Sequence, residues 1–211
     1  MSKILELSNA VQSGRSKLVA GLVQACLDEG HAPLDILNQG MIDAMSVVGE
    51  KFKANEIFVP EMLVAAKAMK KGVEALKPHL ADAGSHKIGK MVMGTVYGDL
   101  HDIGKNLVIM MVESAGYEVV DLGIDVPAEK FLEAANDPEV TVVGVSALLT
   151  TTMAAMQDTV AALNNHPRRG EFKVMVGGAP ITQGFADQIG ADVYTTDAAS
   201  AAQAAKALAA K

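Results

Sequence analysis

The sequence predicts an α/β protein in two parts, an N-terminal four-helix bundle followed by a doubly wound, mostly parallel sheet of five strands. Three observations predict it. Up to about residue 88 the apolar residues recur only at helical spacing. Beyond it, short β-branched runs alternate with helical stretches, the pattern of parallel strands joined by helical crossovers. Between the two parts lies Ala81-Asp-Ala-Gly-Ser-His-Lys87, a small, polar, glycine-containing stretch that reads as a linker. The expected domains are 1–87, the helical bundle with its linker at about 81–87, and 88–211, the sheet domain. At 211 residues, half of them hydrophobic, the chain can fill two cores.

The first helix is expected at about Ser2–Val11, broken by Ser13 and Gly14, and the second at Ser16–Glu29, ended by Gly30. Pro33 opens a long third helix, Leu34–Ala54, with Ile36, Leu37, Met41, Met45 and Val48 as its apolar side. Asn55 stops it. Pro60 suits the first turn of a fourth helix and Glu61 its positive end; Met62, Leu63, Ala66, Met69 and Val73 continue the apolar side to about Leu80. Short connections make the bundle antiparallel. Phe58 and Val59 precede Pro60, with Phe52 a turn or so earlier. These three read either as a hydrophobic staple at the start of the fourth helix or as an apolar lid for a flat ligand. The methionines read as core filler, Cys26 as a core thiol beside Leu18 and Leu22, and His31 and His79 as helix-end residues. His86 is expected in solvent.

Strands are expected at Met91–Tyr97, Glu118–Leu122, Thr141–Ser146, Lys173–Val176 and Asp192–Thr195. Helices between and after them are expected at about Ile103–Ala115, Ala128–Asn136, Thr152–Asn164, Thr182–Ile189 and Ala198–Ala210. Five such strands most often take the flavodoxin-like (Rossmann-like) order 2-1-3-4-5, with the ligand crevice where the loops after strands one and three diverge. The first of those loops is Gly98-Asp99-Leu100-His101-Asp102-Ile103-Gly104, and the second begins at Ser146 and runs to Thr150. His101, flanked by two aspartates, reads as a helix-capping residue or as a metal ligand: a carboxylate can hold one ring nitrogen and leave the other free. The convergence of both loops on the switch point favours the second reading. Strand four ends in Gly177-Gly178-Ala179-Pro180, either a tight turn or a close backbone approach to a ligand.

Composition removes other classes. A net charge of −7 argues against nucleic acid or an anionic membrane as the main partner, and no apolar run is long enough to span a bilayer. A single cysteine excludes an internal disulfide and a cysteine-cluster metal site. The first residues lack signal-peptide character, so the expected compartment is the cytoplasm. No Gly-x-Gly-x-x-Gly follows strand one and no Walker A sequence occurs, which weakens a nucleotide-phosphate reading. A phospho-acceptor receiver would want an acidic pair after strand one and an aspartate where this chain has Ser146.

Asp99-x-His101-x-x-Gly104, then Ser146-x-Leu148, then Gly177-Gly178 resembles the signature of corrinoid (cobalamin)-binding proteins, among them the cobalamin-binding region of methionine synthase and the corrinoid proteins of methanol, methylamine, betaine and O-demethylase methyltransferase systems. The likeness covers nearly the whole chain, because a helical bundle precedes the corrinoid domain in the methyl-transfer branch. The stretch from Val47 to Phe52 through Ile57–Glu61 is similar to that branch's cap.

The resemblance implies a corrinoid whose nucleotide tail is displaced from cobalt and buried in the sheet domain, with His101 replacing it as lower axial ligand. Asp99 would accept a hydrogen bond from the imidazole, and Ser146 would bond Asp99. Gly98, Leu100, Asp102, Ile103 and Gly104 would line the lower face. Ser146, Leu148 and Thr150 would border the tail pocket, Gly177, Gly178 and Ala179 would give it room, and Ala198 matches a contact near the chain's end. Phe52 and Val59 match the apolar cap. Asn38 stands where the methionine synthase branch has an acidic contact, so no role carries over to it.

By the same resemblance the chain is a methyl carrier without turnover of its own, its cobalt passing between Co(I) and methyl-Co(III), as in methylcobalamin. A substrate:corrinoid methyltransferase would load it, a corrinoid:tetrahydrofolate or coenzyme M methyltransferase would unload it, and a reductive activase would restore it. The alternatives are an adenosylcobalamin-dependent mutase subunit, against which the helical cap argues; a corrinoid sensor or regulator, which would need an output module; and a cofactor-free interaction domain.

Overall fold

The computed structural model describes residues 2–80 and 87–209. The linker expected at about 81–87, with His86, therefore lies outside the described residues except for Lys87. The chain divides into two compact units, one built on residues 1–86 and the other on 87–113 and 117–211.

The first unit is helical. It comprises α1 (Lys3–Gln12), α2 (Ser16–Asp28), α3 (Pro33–Leu37), α4 (Asp43–Lys53) and α5 (Val59–Leu80), with a π-helical turn, Asn38–Ile42, between α3 and α4. Leu7, Val11, Val19, Cys26, Ile36, Met41, Met62 and Leu76 are fully buried and form its core. Cys26 is a core thiol, as its helical face predicts. The long third helix expected over Leu34–Ala54 is interrupted by the π turn. Gly40, Met41 and Ile42 are all buried, three in succession. A Cβ on Gly40 would stand 2.7 Å from Leu7 Cδ2, so the Leu7 side chain would have to shift to admit one. The start of α5 is set by Glu61, whose carboxylate accepts the Phe58 N–H at 3.0 Å. Phe58 itself is 64% exposed, so no hydrophobic staple is made by that residue.

The second unit runs β1 (Lys90–Val96), α6 (Ile103–Ser114), β2 (Glu118–Val126), α7 (Ala128–Ala134), β3 (Val140–Ser146), a 3₁₀ turn (Thr150–Thr152), α8 (Met153–Asn164), β4 (Lys173–Gly177), α9 (Gln183–Ile189), β5 (Val193–Thr195) and α10 (Ala198–Ala209). The sheet order is β2-β1-β3-β4-β5, all pairs parallel, which is the flavodoxin-like order expected. β1 is buried from Met91 to Val96, as a strand with neighbours on both sides and helices on both faces must be. Its core holds Val92, Val96, Phe131, Val143, Val145, Met156, Leu163, Phe172 and Val174. Thr182 caps α9, its hydroxyl accepting the Phe185 N–H at 3.2 Å.

β2 is longer than Glu118–Leu122, the stretch its apolar residues mark. It continues to Val126, through Gly123 at φ 89° and Asp125 at φ 53°. The register with β1 shifts twice, between Met93 and Gly94 and between Gly94 and Val96. Glycine and aspartate are depleted in strands, so Gly123 and Asp125 read as the strand's end, while pairing with β1 still holds the stretch in the sheet. Phe131 lies fully buried in the core on α7. Phe131→Ala is expected to lower stability by about 3–5 kcal/mol, read from the urea midpoint with an unchanged denaturant slope.

Candidate functional site

In a parallel sheet the loops after all strands emerge at one edge. Here those are 97–102 after β1, 147–149 after β3, 178–182 after β4 and 196–197 after β5. β1 and β3 are adjacent, yet the chain leaves β1 toward β2 on one side and β3 toward β4 on the other. Their diverging loops form the crevice of the switch point.

Asp99 stands in that crevice and is fully buried. Its Oδ1 lies 2.8 Å from His101 Nδ1 and accepts the His101 backbone N–H at 3.1 Å. Its Oδ2 accepts the N–H groups of Leu148 at 2.7 Å and Leu149 at 3.3 Å. The Thr152 hydroxyl, also buried, donates to the same oxygen at 2.8 Å. Burial alone would push the Asp99 carboxyl up. The hydrogen bonds from the Leu148 N–H, the His101 ring, the His101 N–H and the Thr152 hydroxyl outweigh it, and together hold the carboxyl well below the usual aspartate range.

An anionic Asp99 dictates the tautomer of its neighbour. A carboxylate only accepts, so the proton lies on Nδ1 of His101 and the lone pair on Nε2. The His101 side chain is half exposed, and Nε2 has no hydrogen-bond partner among the described residues. The backbone is held as well: Thr95 donates its hydroxyl to the His101 carbonyl at 2.9 Å. Leu100 and Ile103 on the same loop are 69% and 76% exposed, and Leu148 across the crevice is 40% exposed. An outward-facing ring nitrogen thus stands among exposed apolar side chains. Asp102 binds the first turn of α6: its carbonyl and carboxylate accept the N–H and the side-chain amide of Asn106, at 2.8 and 3.2 Å.

The bond expected between Ser146 and Asp99 is not made. Ser146 ends β3, half-buried, and pairs in register with Thr95 and Gly177. The hydroxyl on Asp99 is that of Thr152, because the 3₁₀ turn after β3 folds back over the carboxylate. Three consecutive threonines, Thr150 to Thr152, occupy that turn, and nothing in the sequence distinguishes the buried one; Thr150 is exposed. Lys105 is also unmarked. It is 2% exposed on α6, its Nζ 2.7 Å from both carboxylate oxygens of Asp121 and 2.8 Å from Asn106 Oδ1.

Gly177 and Gly178 end β4 beside the β3 loop. A Cβ on Gly178 would stand 1.8 Å from the Ala147 carbonyl oxygen, and its φ is 134°. The close approach is to the chain's own backbone, which the paired glycines permit. Ala179 is exposed just beyond, Gly104 has open space where a Cβ would be, and Ala198 is buried at the start of α10. Phe52 and Val59 belong to the helical unit, each half-buried at an end of the α4–α5 connection.

Among the described residues no group of three or more His, Cys, Asp and Glu side chains could hold a metal ion. The site instead offers one oriented imidazole on an apolar surface. An imidazole so held could serve as a ligand to a metal that a bound cofactor brings with it.

Comparison with known proteins identifies the family. Residues 89–206 match the family described as the B12 binding domain, and residues 4–77 match a second family of that description. The chain is 40% identical to a corrinoid protein of Desulfitobacterium hafniense, over 97% of this chain and 96% of that one. It is 42% identical to the dimethylamine corrinoid protein of Methanosarcina barkeri, over 96% and 95%. Among solved structures, a cobalamin-binding protein from D. hafniense superposes with a TM-score of 0.82 at 30% identity, covering 97% of this chain and 98% of that one. A chain of the methanol:cobalamin methyltransferase complex of M. barkeri superposes with a TM-score of 0.84 at 32% identity, covering 99% and 80%.

The chain belongs to the B12-binding corrinoid proteins, the family that includes the corrinoid proteins of methylamine and methanol methyltransferase systems. Its cofactor is a corrinoid, which carries cobalt. The residues present fit that group: the crevice supplies a nitrogen donor, an apolar surround and a glycine pair where side chains would collide. No described helix is long and apolar enough to cross a membrane.

Two outcomes follow. Gly178→Ala is expected to cost about 1–3 kcal/mol through strain at its positive φ and to reduce corrinoid retained through gel filtration. The lowered carboxyl of Asp99 also makes stability pH-dependent. Its folded-state pKa lies below the unfolded value of about 4, so its contribution is fully present above that value and is lost as the pH falls. The difference in unfolding free energy between wild type and Asp99→Asn is expected to be constant from pH 6 to 7 and to shrink below about pH 4, measured by denaturant titration.

Proposed function

We propose that this protein is the corrinoid-bearing methyl carrier of a methyltransferase system, with His101 as the lower axial ligand of cobalt. One observation carries the reading: the buried Asp99 carboxylate holds Nδ1 of His101 at 2.8 Å and leaves Nε2 facing outward from the switch-point crevice. When bound, the corrinoid supplies a cobalt centre that accepts a methyl group and gives it up again. His101 sets the nitrogen below that centre. Asp99 keeps the imidazole in the tautomer that exposes its lone pair, and the Leu148 N–H and the Thr152 hydroxyl keep Asp99 anionic. Held this way, His101 would offer Nε2 to the metal with a basicity set by how strongly Asp99 accepts the Nδ1 proton.

Gly98, Leu100, Asp102, Ile103 and Gly104 would line the lower face of the corrin. Ser146, Leu148, Thr150, Gly177, Gly178, Ala179 and Ala198, from strand ends, loops and a helix start after the strands, would receive the displaced nucleotide tail. Phe52 and Val59 would supply the apolar cap over the upper face. The carrier role also has the support of the relatives: one solved likeness is a chain of a methanol:cobalamin methyltransferase complex, and others are named for dimethylamine and trimethylamine. A substrate-specific methyltransferase would load the methyl group, a second would deliver it to tetrahydrofolate or to a thiol such as coenzyme M, and a reductive activase would recover the oxidised cofactor.

The test is the visible spectrum of the protein mixed with hydroxocobalamin and freed of excess by gel filtration, beside His101→Ala. A retained corrin band in the wild type, shifted from the free cofactor and altered in the variant, is the expected result. A variant spectrum identical to the wild type would remove His101 from cobalt.

A further inference from the structure

Asp99 is clamped twice. Its side chain is held by the loop after β3; its backbone is held from the other side by β2, through Asp125. The Asp125 N–H donates to the Asp99 carbonyl at 3.0 Å, and Asp125 Oδ1 accepts the Gly98 N–H at 2.7 Å. One residue thus takes the two backbone groups that bracket the peptide between Gly98 and Asp99.

The local backbone is built for this. Asp125 has φ 53°, in the left-handed region that strains a residue with a Cβ and that Asp and Asn tolerate best. Gly98, its partner, has φ 79°. The register explains how Asp125 arrives there. Gly94 of β1 pairs with Gly123 and Val96 with Val126, so two steps along β1 are matched by three along β2. The extra residue carries Asp125 out of the ladder and turns it to the loop that follows β1. Bulges re-aim side chains beside functional sites, and strain held at such a place points to a role. A hairpin-like closure of the strand end would need neither the strained conformation nor the carboxylate. Further back, the buried Lys105 Nζ holds Asp121, whose Oδ1 also accepts the Gly123 N–H at 2.8 Å, which anchors the bulge on α6.

We infer that Asp125 is a positioning residue for the His101–Asp99 pair: it fixes the backbone of Asp99 so that the carboxylate meets His101 Nδ1 and the ring presents Nε2. It touches neither the ring nor the reacting atoms. Its bearing on cobalt rests on His101 being the lower ligand, but its effect on the imidazole exists in the protein without cofactor and is measured there.

The experiment uses the full chain without corrinoid, at one fixed, mildly alkaline pH, with the His101 tautomers read by proton–nitrogen NMR and thermal melting alongside. Two variants separate positioning from folding. Asp125→Gly suits the positive φ and removes the acceptor. Asp125→Asn keeps an acceptor oxygen and tolerates the same φ. The expected result is a melting temperature in Asp125→Gly at or above that of the wild type, with the ratio of Nδ1–H to Nε2–H falling at least threefold, and a wild-type ratio in Asp125→Asn. A wild-type ratio in Asp125→Gly, or an equal fall in both variants, would overturn the inference. Loss of folding in Asp125→Gly would overturn it too, since the residue would then be structural. Failure of the axial-ligand reading shows separately, as an unchanged corrinoid spectrum in His101→Ala.

Discussion

A buried carboxylate needs donors, and the crevice around Asp99 is arranged to supply them. An isolated charge in a protein interior costs several kcal/mol unless it is fully hydrogen-bonded. Asp99 receives bonds from the His101 backbone and ring, the Leu148 and Leu149 N–H groups and the Thr152 hydroxyl. Two of those sources lie after β1 and three after β3. The charge therefore ties together the two loops that diverge at the switch point, and neither loop can move without leaving it short of a donor. The orientation of His101 is a consequence: the ring is where it is because Nδ1 completes the set.

The fold serves that constraint. The parallel order brings the loops after β1 and β3 side by side, and the crossovers keep helices off that edge of the sheet. Apolar residues that would be core elsewhere, Leu100 and Ile103, are exposed there. Glycine at 178 lets the β4 loop come against the Ala147 backbone. Bulges in β2 cost ladder regularity and left-handed strain, and in return bring Asp125 to the backbone of Asp99.

Much of this was legible in the sequence. Alternation of β-branched runs with helical spacing marked all five strands, and the order that five such strands most often take is the one found. The heptapeptide from Gly98 to Gly104 stood out because a histidine between aspartates at a strand–helix turn has a chemistry of its own. What was not legible follows from the nature of the missing signals. The far end of β2 reads Asp-Leu-Gly-Ile-Asp, whose glycine and aspartates are poor strand formers, yet pairing with β1 keeps it in the sheet. The π turn after α3 answers to packing against Leu7, a contact between residues over thirty apart in sequence. Thr152 replaces Ser146 at the carboxylate because a 3₁₀ turn decides which of several nearby hydroxyls points inward.

By itself, then, the sequence determined the architecture, the family and the imidazole–carboxylate pair, since each is written in local periodicity or in motif residues close along the chain. Tertiary structure alone decided which donors surround Asp99 and from which side its backbone is held. Those partners lie twenty-six to fifty-three residues away from it. Hydrogen bonding depends on tenths of an ångström and on the direction of a lone pair, and neither is encoded in residue type or spacing until the strands are in register.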